Sequence, residues 1–213
     1  MIINENLKQY IENNILPIYD KNDLAHNIDH IYYVIERSFK FASKVENINY
    51  NMVYTIASYH DIGHHIDALN HEKISSEILL NDQKLRQFFK EEEISLMAEA
   101  VFDHRASKDH TPRSIYGKIV SSADRNTNID VFLRRTYEYR INKNPNDSLE
   151  EIIENSRKHA INKFGKNGYA KEKMYFKDED YEIFLKEIAI LTEDKEAFKV
   201  RYIKANNLKV KKR

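Results

Sequence analysis

The sequence predicts an all-α protein, on three observations. Four glycines and three prolines punctuate 213 residues, too few for a sandwich or barrel made of many short strands and tight turns. Apolar residues recur at helical spacing nearly everywhere. The breaks fall where Asn, Asp, Gly and Pro gather, the residues that cap helices or turn the chain.

Helices are expected over residues 4–18, 27–46, 49–62, 71–89, 91–104, 113–125, 127–142, 148–164 and 178–205. Asp23 or Asn27 is placed to cap the second, and Asn49 or Asn51 the third, by accepting from N–H groups that lack an intrahelical partner. Glu91, Glu92 and Glu93 suit a helix start, where the macrodipole favours negative charge. KNPNDS (143–148) and GKNG (165–168) read as loops. The length allows one sizeable core or a core with an appended helical segment; the expected division is residues 1–140 as the helical core and 141–213 as a C-terminal helical extension.

Charge and cysteine content narrow the function. Thirty-four basic residues balance thirty-four acidic ones, which argues against a globally electrostatic nucleic-acid binder. The basic tail from residue 199 (KVRYIKANNLKVKKR) would suit such a contact, but a run of this kind is more often a solvated, frayed terminus. With no cysteine, disulfides, thiolate nucleophiles and iron–sulfur clusters are excluded, and any metal must be held by His and carboxylates. The polar start MIINENLKQY and the lack of a long apolar run predict a cytoplasmic chain with no membrane partner.

The informative residues are histidines and aspartates in line with apolar helix faces, where burial without partners is costly. His30 continues into Val34, Arg37 and Phe41. His26 stands one turn earlier, a metal ligand or a residue at the helix start. His60 follows Val53, Ile56 and Ala57, and with Asp61 it falls at a helix end, where adjacent side chains can converge as the backbone turns; Gly63 follows as a stop. His71 leads Ser75, Ile78 and Leu79, and His104 closes a stripe of Met97, Ala100 and Val101. Asp124 closes Gly117, Val120 and Ser121. Separate burial of so many polar groups needs as many hydrogen-bonded solutions, whereas one metal centre satisfies them together. Arg37 needs a carboxylate or phosphate partner if buried. His110 and His159 read as exposed, and Tyr54, Tyr59 and Tyr116 as core aromatics or base-stacking platforms.

His30 with Val34 in HxxxV, then HDIG from His60 to Gly63, then Asp124 in VSSADRN, resembles the HD domain superfamily of metal-dependent phosphohydrolases over about residues 23–135, in the manner of small stand-alone bacterial members. The resemblance implies an HD-domain helical bundle with additional C-terminal helices. It implies that His30, His60, Asp61 and Asp124 bind one divalent ion and that, in a two-ion member, Asp61 bridges while His71 and His104 hold the second. The ion would be Mn, Fe, Zn, Co, Ni or Mg, since ligands of this type do not choose among them. His64 stands where many relatives have Lys, and neither a GYP signature nor HDxxED is present.

The implied chemistry is hydrolysis of a phosphate ester or anhydride in a small metabolite, foremost a nucleotide. Bound metal lowers the pKa of a water towards about 7 and neutralises phosphate oxygens. Asp61 with His64 or His65 would be catalytic, the histidines as acids for the leaving group, and Arg105, Lys118 and Arg125 would meet the substrate. A di-iron oxygenase of HD type is the alternative, and a non-catalytic, metal-stabilised binding or regulatory module another. A homo-oligomer is compatible with each.

Overall fold

The computed structural model describes residues 2–23 and 26–208. Among them are ten α-helices and no strand, so the protein is all-α. The helices are α1 (Glu5–Asn14), α2 (Ile28–Ala42), α3 (Tyr50–Tyr59), α4 (His71–Asn81), α5 (Glu91–Asp103), α6 (Ile115–Ala123), α7 (Ile129–Lys143), α8 (Leu149–Phe164), α9 (Glu179–Glu193) and α10 (Lys195–Ala205).

Three expected helices give way to a further element, each for a local reason, and the one expected over 27–46 stops at Ala42. The first ends at Asn14, and a 3-10 helix over Leu16–Lys21 follows, with Pro17 in its first turn, where a missing N–H costs nothing. The expected 71–89 helix stops at Asn81, because the Asp82 side chain accepts from Lys84 N and starts a second 3-10 helix. Asp82 is held there by the hydroxyls of Tyr10 and Tyr59, which both donate to its Oδ2. The expected 178–205 helix divides at Asp194, whose carboxylate accepts from Ala197 N and caps α10. A continuous apolar stripe does not reveal such breaks, since the stripe resumes after the cap.

The described residues divide into two compact units: those up to Asp124 together with Lys173–Phe176, and Arg125–Glu172 together with those from Lys177 onward. In the first unit α2, α3, α5 and α6 pack on one another and α4 lies on α5. Leu7, Ile31, Val34, Phe41, Val53, Ile56, Met97, Val101, Ile119 and Val120 form its core. Residues 173–176 join it through a stack of Phe176 on Phe41, 5.2 Å between ring centroids, and a bond from Tyr175 N to Ser122 Oγ.

The second unit packs α7, α8, α9 and α10 together around Phe132, Phe164 and Phe184. Phe164 meets the other two edge-to-face at 5.3 and 4.9 Å, the arrangement that ring quadrupoles favour. His159, expected to be exposed, is half-buried and stacks on Phe132 at 6.1 Å. Burial, helped by the charges of Lys163 and Arg140, pulls its pKa down to about 4. Part of the basic tail, residues 209–213, lies outside the described residues. No helix among those described is long and apolar enough to cross a membrane.

Candidate metal centre

Each ligand candidate sits at the end of a helix, and the end is fixed by local chemistry. Asn27 caps α2 by accepting from His30 N, which sets His30 in the first turn. Asn49 caps α3, and eleven residues later His60 ends it. His71 opens α4 and His104 closes α5. Asp124 closes α6. Helix ends turn neighbouring side chains into one space more easily than a continuous cylinder does.

Gly63 makes the crossing after His60 and Asp61 feasible. A Cβ there would lie 2.7–2.9 Å from Ile74 and from the backbone nitrogen of Ser75, and Gly63 N donates to Ser75 Oγ at 2.9 Å. The HDIG turn thus presses directly onto α4, which brings His71 towards Asp61. Arg37, buried on α2, donates from Nε to Ala123 O at 3.1 Å and packs on Tyr33 and Phe41. It ties α2 to the end of α6 immediately before Asp124. Tyr59 is fully buried and Tyr54 nearly so, and the Tyr116 hydroxyl accepts from Asn49 N; these aromatics are core.

Asp61 is the centre of the cluster and is 2% exposed. Its Oδ2 lies 3.4 Å from His30 Nε2 and 3.2 Å from His60 Nε2. Its Oδ1 lies 3.2 Å from His71 Nε2 and 3.4 Å from His104 Nε2. His30 Nε2 is also 3.2 Å from Asp124 Oδ1. The six residues come from five helices or their ends, and the carboxylate of Asp61 turns one edge to each pair of imidazoles.

The outer nitrogens decide what the inner ones can do. Nδ1 of His60, His71 and His104 lies 2.8, 3.0 and 2.6 Å from the carbonyl oxygens of Ala57, Ala68 and Val101. A carbonyl only accepts, so each Nδ1 carries the hydrogen, and in the neutral ring Nε2 is a bare lone pair. Three lone pairs then face a carboxylate that is itself an acceptor. His30 Nε2, His60 Nε2 and Asp61 Oδ1 are buried without a hydrogen-bond partner, a costly state for polar atoms.

Protons relieve this only in part. Burial would lower the His60 pKa, but the charge of Asp61 3.2 Å away, the charge of Asp124 and the Ala57 carbonyl outweigh it and raise it to about 9. Burial pushes His104 below its ordinary value despite Asp61. Asp61 and Asp124 are both held low: burial opposes ionisation, but His60, His104 and His30 outweigh it for the first and His30 for the second. Packing several imidazolium rings together is unfavourable, whereas divalent cations satisfy all the lone pairs at once. His30, His60 and Asp61 form one group able to hold an ion, and Asp61, His71 and His104 another; Asp124 adjoins the first through His30. The donor set fits the divalent metal that the sequence implied.

The other sequence-predicted residues are placed less uniformly. His64 stands at the rim, its ring 5.3 Å from that of His71 and stacked on His26 at 3.8 Å. His65 is exposed, its N–H donating to Asn22. Arg105 donates to Leu69 O at 2.6 Å and to Glu72 at 3.1 Å. Lys118 is half-buried on α6, and Arg125 is buried as the first residue of the second unit. His26 pairs with Asp23 at 2.7 Å and lies outside the buried groups.

Three residues near the cluster went unnoticed in the sequence. Glu72, 7% exposed, holds Lys108 at 2.9 Å as well as Arg105, and Lys108 also lies over Phe102 at 3.7 Å. Asn22 donates to the carbonyls of His26 and Asp61. A carboxylate directly after a candidate ligand and a lysine four residues after another were the available signals for Glu72 and Lys108. Nothing local marks Asn22.

Residues 27–129 match the family model of the HD domain. The chain is also similar to a predicted HD superfamily hydrolase from an uncultured Thermotogales bacterium, seen in a crystal structure, with 27% identity, 56% of this chain and 72% of that one covered, and a TM-score of 0.44. No curated protein matches. The matched segment runs from the cap of α2 to the first residue of α7 and contains all six residues of the cluster, so this stretch is similar to an HD domain.

Proposed function

We propose that the protein is a metal-dependent phosphohydrolase that cleaves a phosphate ester or anhydride of a small metabolite, a nucleotide being the first class to test. The observation that carries this reading is the two-edged contact of Asp61 with four imidazoles, three of which have their Nδ1 hydrogens committed to carbonyls. His30, His60, Asp61 and Asp124 would hold one ion, and Asp61, His71 and His104 a second. Divalent ions so held lower the pKa of water and neutralise non-bridging phosphate oxygens.

The remaining tasks fall to the chain itself. Arg105 and Lys108, drawn together by Glu72 beside His71, offer positive charge to a phosphate that approaches the His71 side. His64 is the rim imidazole nearest the cluster and would hand a proton to the leaving oxygen. The exposed His65 is less well placed for that. Arg125, next to Asp124, would orient that ligand, a task for which such sites use a hydrogen-bonding neighbour, and Lys118 would extend the positive rim.

The test is phosphate release from a panel of nucleotides and phosphate esters by protein loaded in turn with Mn, Fe, Zn, Co, Ni and Mg. Turnover with at least one metal, lost in Asp61→Ala, is expected. No release above the Asp61→Ala control with any metal overturns the reading, and oxygen consumption by the iron-loaded protein would replace it with oxygenase chemistry.

A further inference from the structure

We propose that Asp23, His26 and His64 form a separate, solvent-open site for a first-row divalent transition metal at the rim of the buried cluster. Their potential ligand atoms all lie within 4.8 Å of one another. His26 Nδ1 is 2.7 Å from Asp23 Oδ1, and the rings of His26 and His64 stack at 3.8 Å with an interplanar angle of 23°. Each ring offers one nitrogen, and Asp23 one carboxylate oxygen, to a shared cation.

The three residues come from two segments that Asn22 fastens together. Its amide nitrogen donates to the carbonyls of His26 and Asp61, at 3.1 and 3.0 Å, and its Oδ1 accepts from His65 N at 2.9 Å. The approach to α2 and the turn after α3 are therefore held in register on both sides of the stack. Asp23 supplies the carboxylate, its Oδ1 lying 3.0 Å from His26 N and 2.7 Å from His26 Nδ1.

Two imidazoles and one carboxylate suit Zn, Mn, Fe(II), Co or Ni better than Ca or Mg, which prefer all-oxygen shells. Three protein ligands leave positions open to solvent or substrate. A bound metal takes the lone pair that a proton would otherwise occupy, so His64 serves as an acid only while the rim site is empty.

The proposal does not depend on the reaction at the buried cluster, and Zn2+ stoichiometry of the full-length apo-protein tests it. Calorimetric titration and metal analysis after dialysis should show one equivalent fewer for His26→Ala than for the unsubstituted protein. In an Asp61→Ala background the same substitution should again remove one equivalent. Asp23→Asn, at an exposed position, should weaken that equivalent without loss of helical circular dichroism, which separates ligation from misfolding. Equal stoichiometry with and without His26 in both backgrounds overturns the proposal. Were Asp61→Ala to keep every equivalent while His26→Ala lost one, the rim site would stand and the buried one would fall.

Discussion

At the residue scale, the commitment of imidazole hydrogens to backbone carbonyls turns a crowd of histidines into a set of cation donors. His60 makes this measurable. Without metal its pKa is raised to about 9 from an ordinary value of about 6.5. Its contribution to the stability of the metal-free fold is therefore complete below about pH 6.5 and lost as pH rises through about 9. A metal ion must displace that proton, so affinity moves the opposite way. Mn2+ affinity should rise by up to about tenfold per pH unit between about pH 6.5 and pH 9, as read by calorimetry, and a flat profile would contradict the assignment of His60 as a ligand.

His159 gives a second pH signature, in the second unit. Its folded pKa is depressed to about 4, so below about pH 6.5 the unfolded chain takes up a proton that the folded chain refuses. Stability falls as pH drops from about 6.5 to about 4, by on the order of 2 kcal/mol. Urea unfolding across that range should show the decline, reduced in His159→Leu. Gly63 is a steric case. Gly63→Ala sets a Cβ against Ile74 and the backbone of Ser75, and should cost about 1–3 kcal/mol by overpacking, visible as a lower unfolding midpoint and weaker metal binding.

At the element scale, caps decide where each ligand stands. Asn27 accepts from His30 N at the start of α2, so Asn27→Ala should cost about 1 kcal/mol of stability and loosen the turn that presents His30. A drop in metal affinity together with a small drop in unfolding midpoint is the expected pair of readings, and Asn27→Ser should restore both. Ser148 and Glu151 form a reciprocal capping box on α8, far in sequence from any ligand. Ser148→Ala should lower stability by a similar amount and leave metal affinity unchanged. The sequence displayed the helices through their apolar spacing and most starts through Asn, Asp and Ser. It hid the breaks at Ile15, Asp82 and Asp194, because the apolar register resumes beyond each one and the residues that fix Asp82 are tyrosines 72 and 23 positions away.

At the scale of the molecule, metal and fold are linked. A ligand that binds only the folded state stabilises it by about 2.7 kcal/mol at a hundredfold excess over Kd. Removal of metal with a chelator should therefore lower the unfolding temperature, and the shift should shrink in Asp61→Ala and vanish when His26→Ala is added. The histidines and aspartates of the site were legible from sequence as polar residues interrupting apolar stripes, since a buried polar group demands a partner whatever the fold. His159 was misjudged because its neighbour Phe132 lies on another helix, and Glu72 was missed because its partners lie more than thirty positions away.

By itself the sequence determined that the chain is helical, that any metal must be met by imidazole and carboxylate, and which residues could not be buried alone. These follow from periodicity and from the cost of desolvation, both local properties of the chain. The tertiary structure decided which edge of Asp61 faces which histidines, that three Nδ1 hydrogens are spent on carbonyls, and that Asn22 clasps His26 to the turn bearing His64. Distance and direction between residues remote in sequence set these, and no pattern along a single helix encodes them.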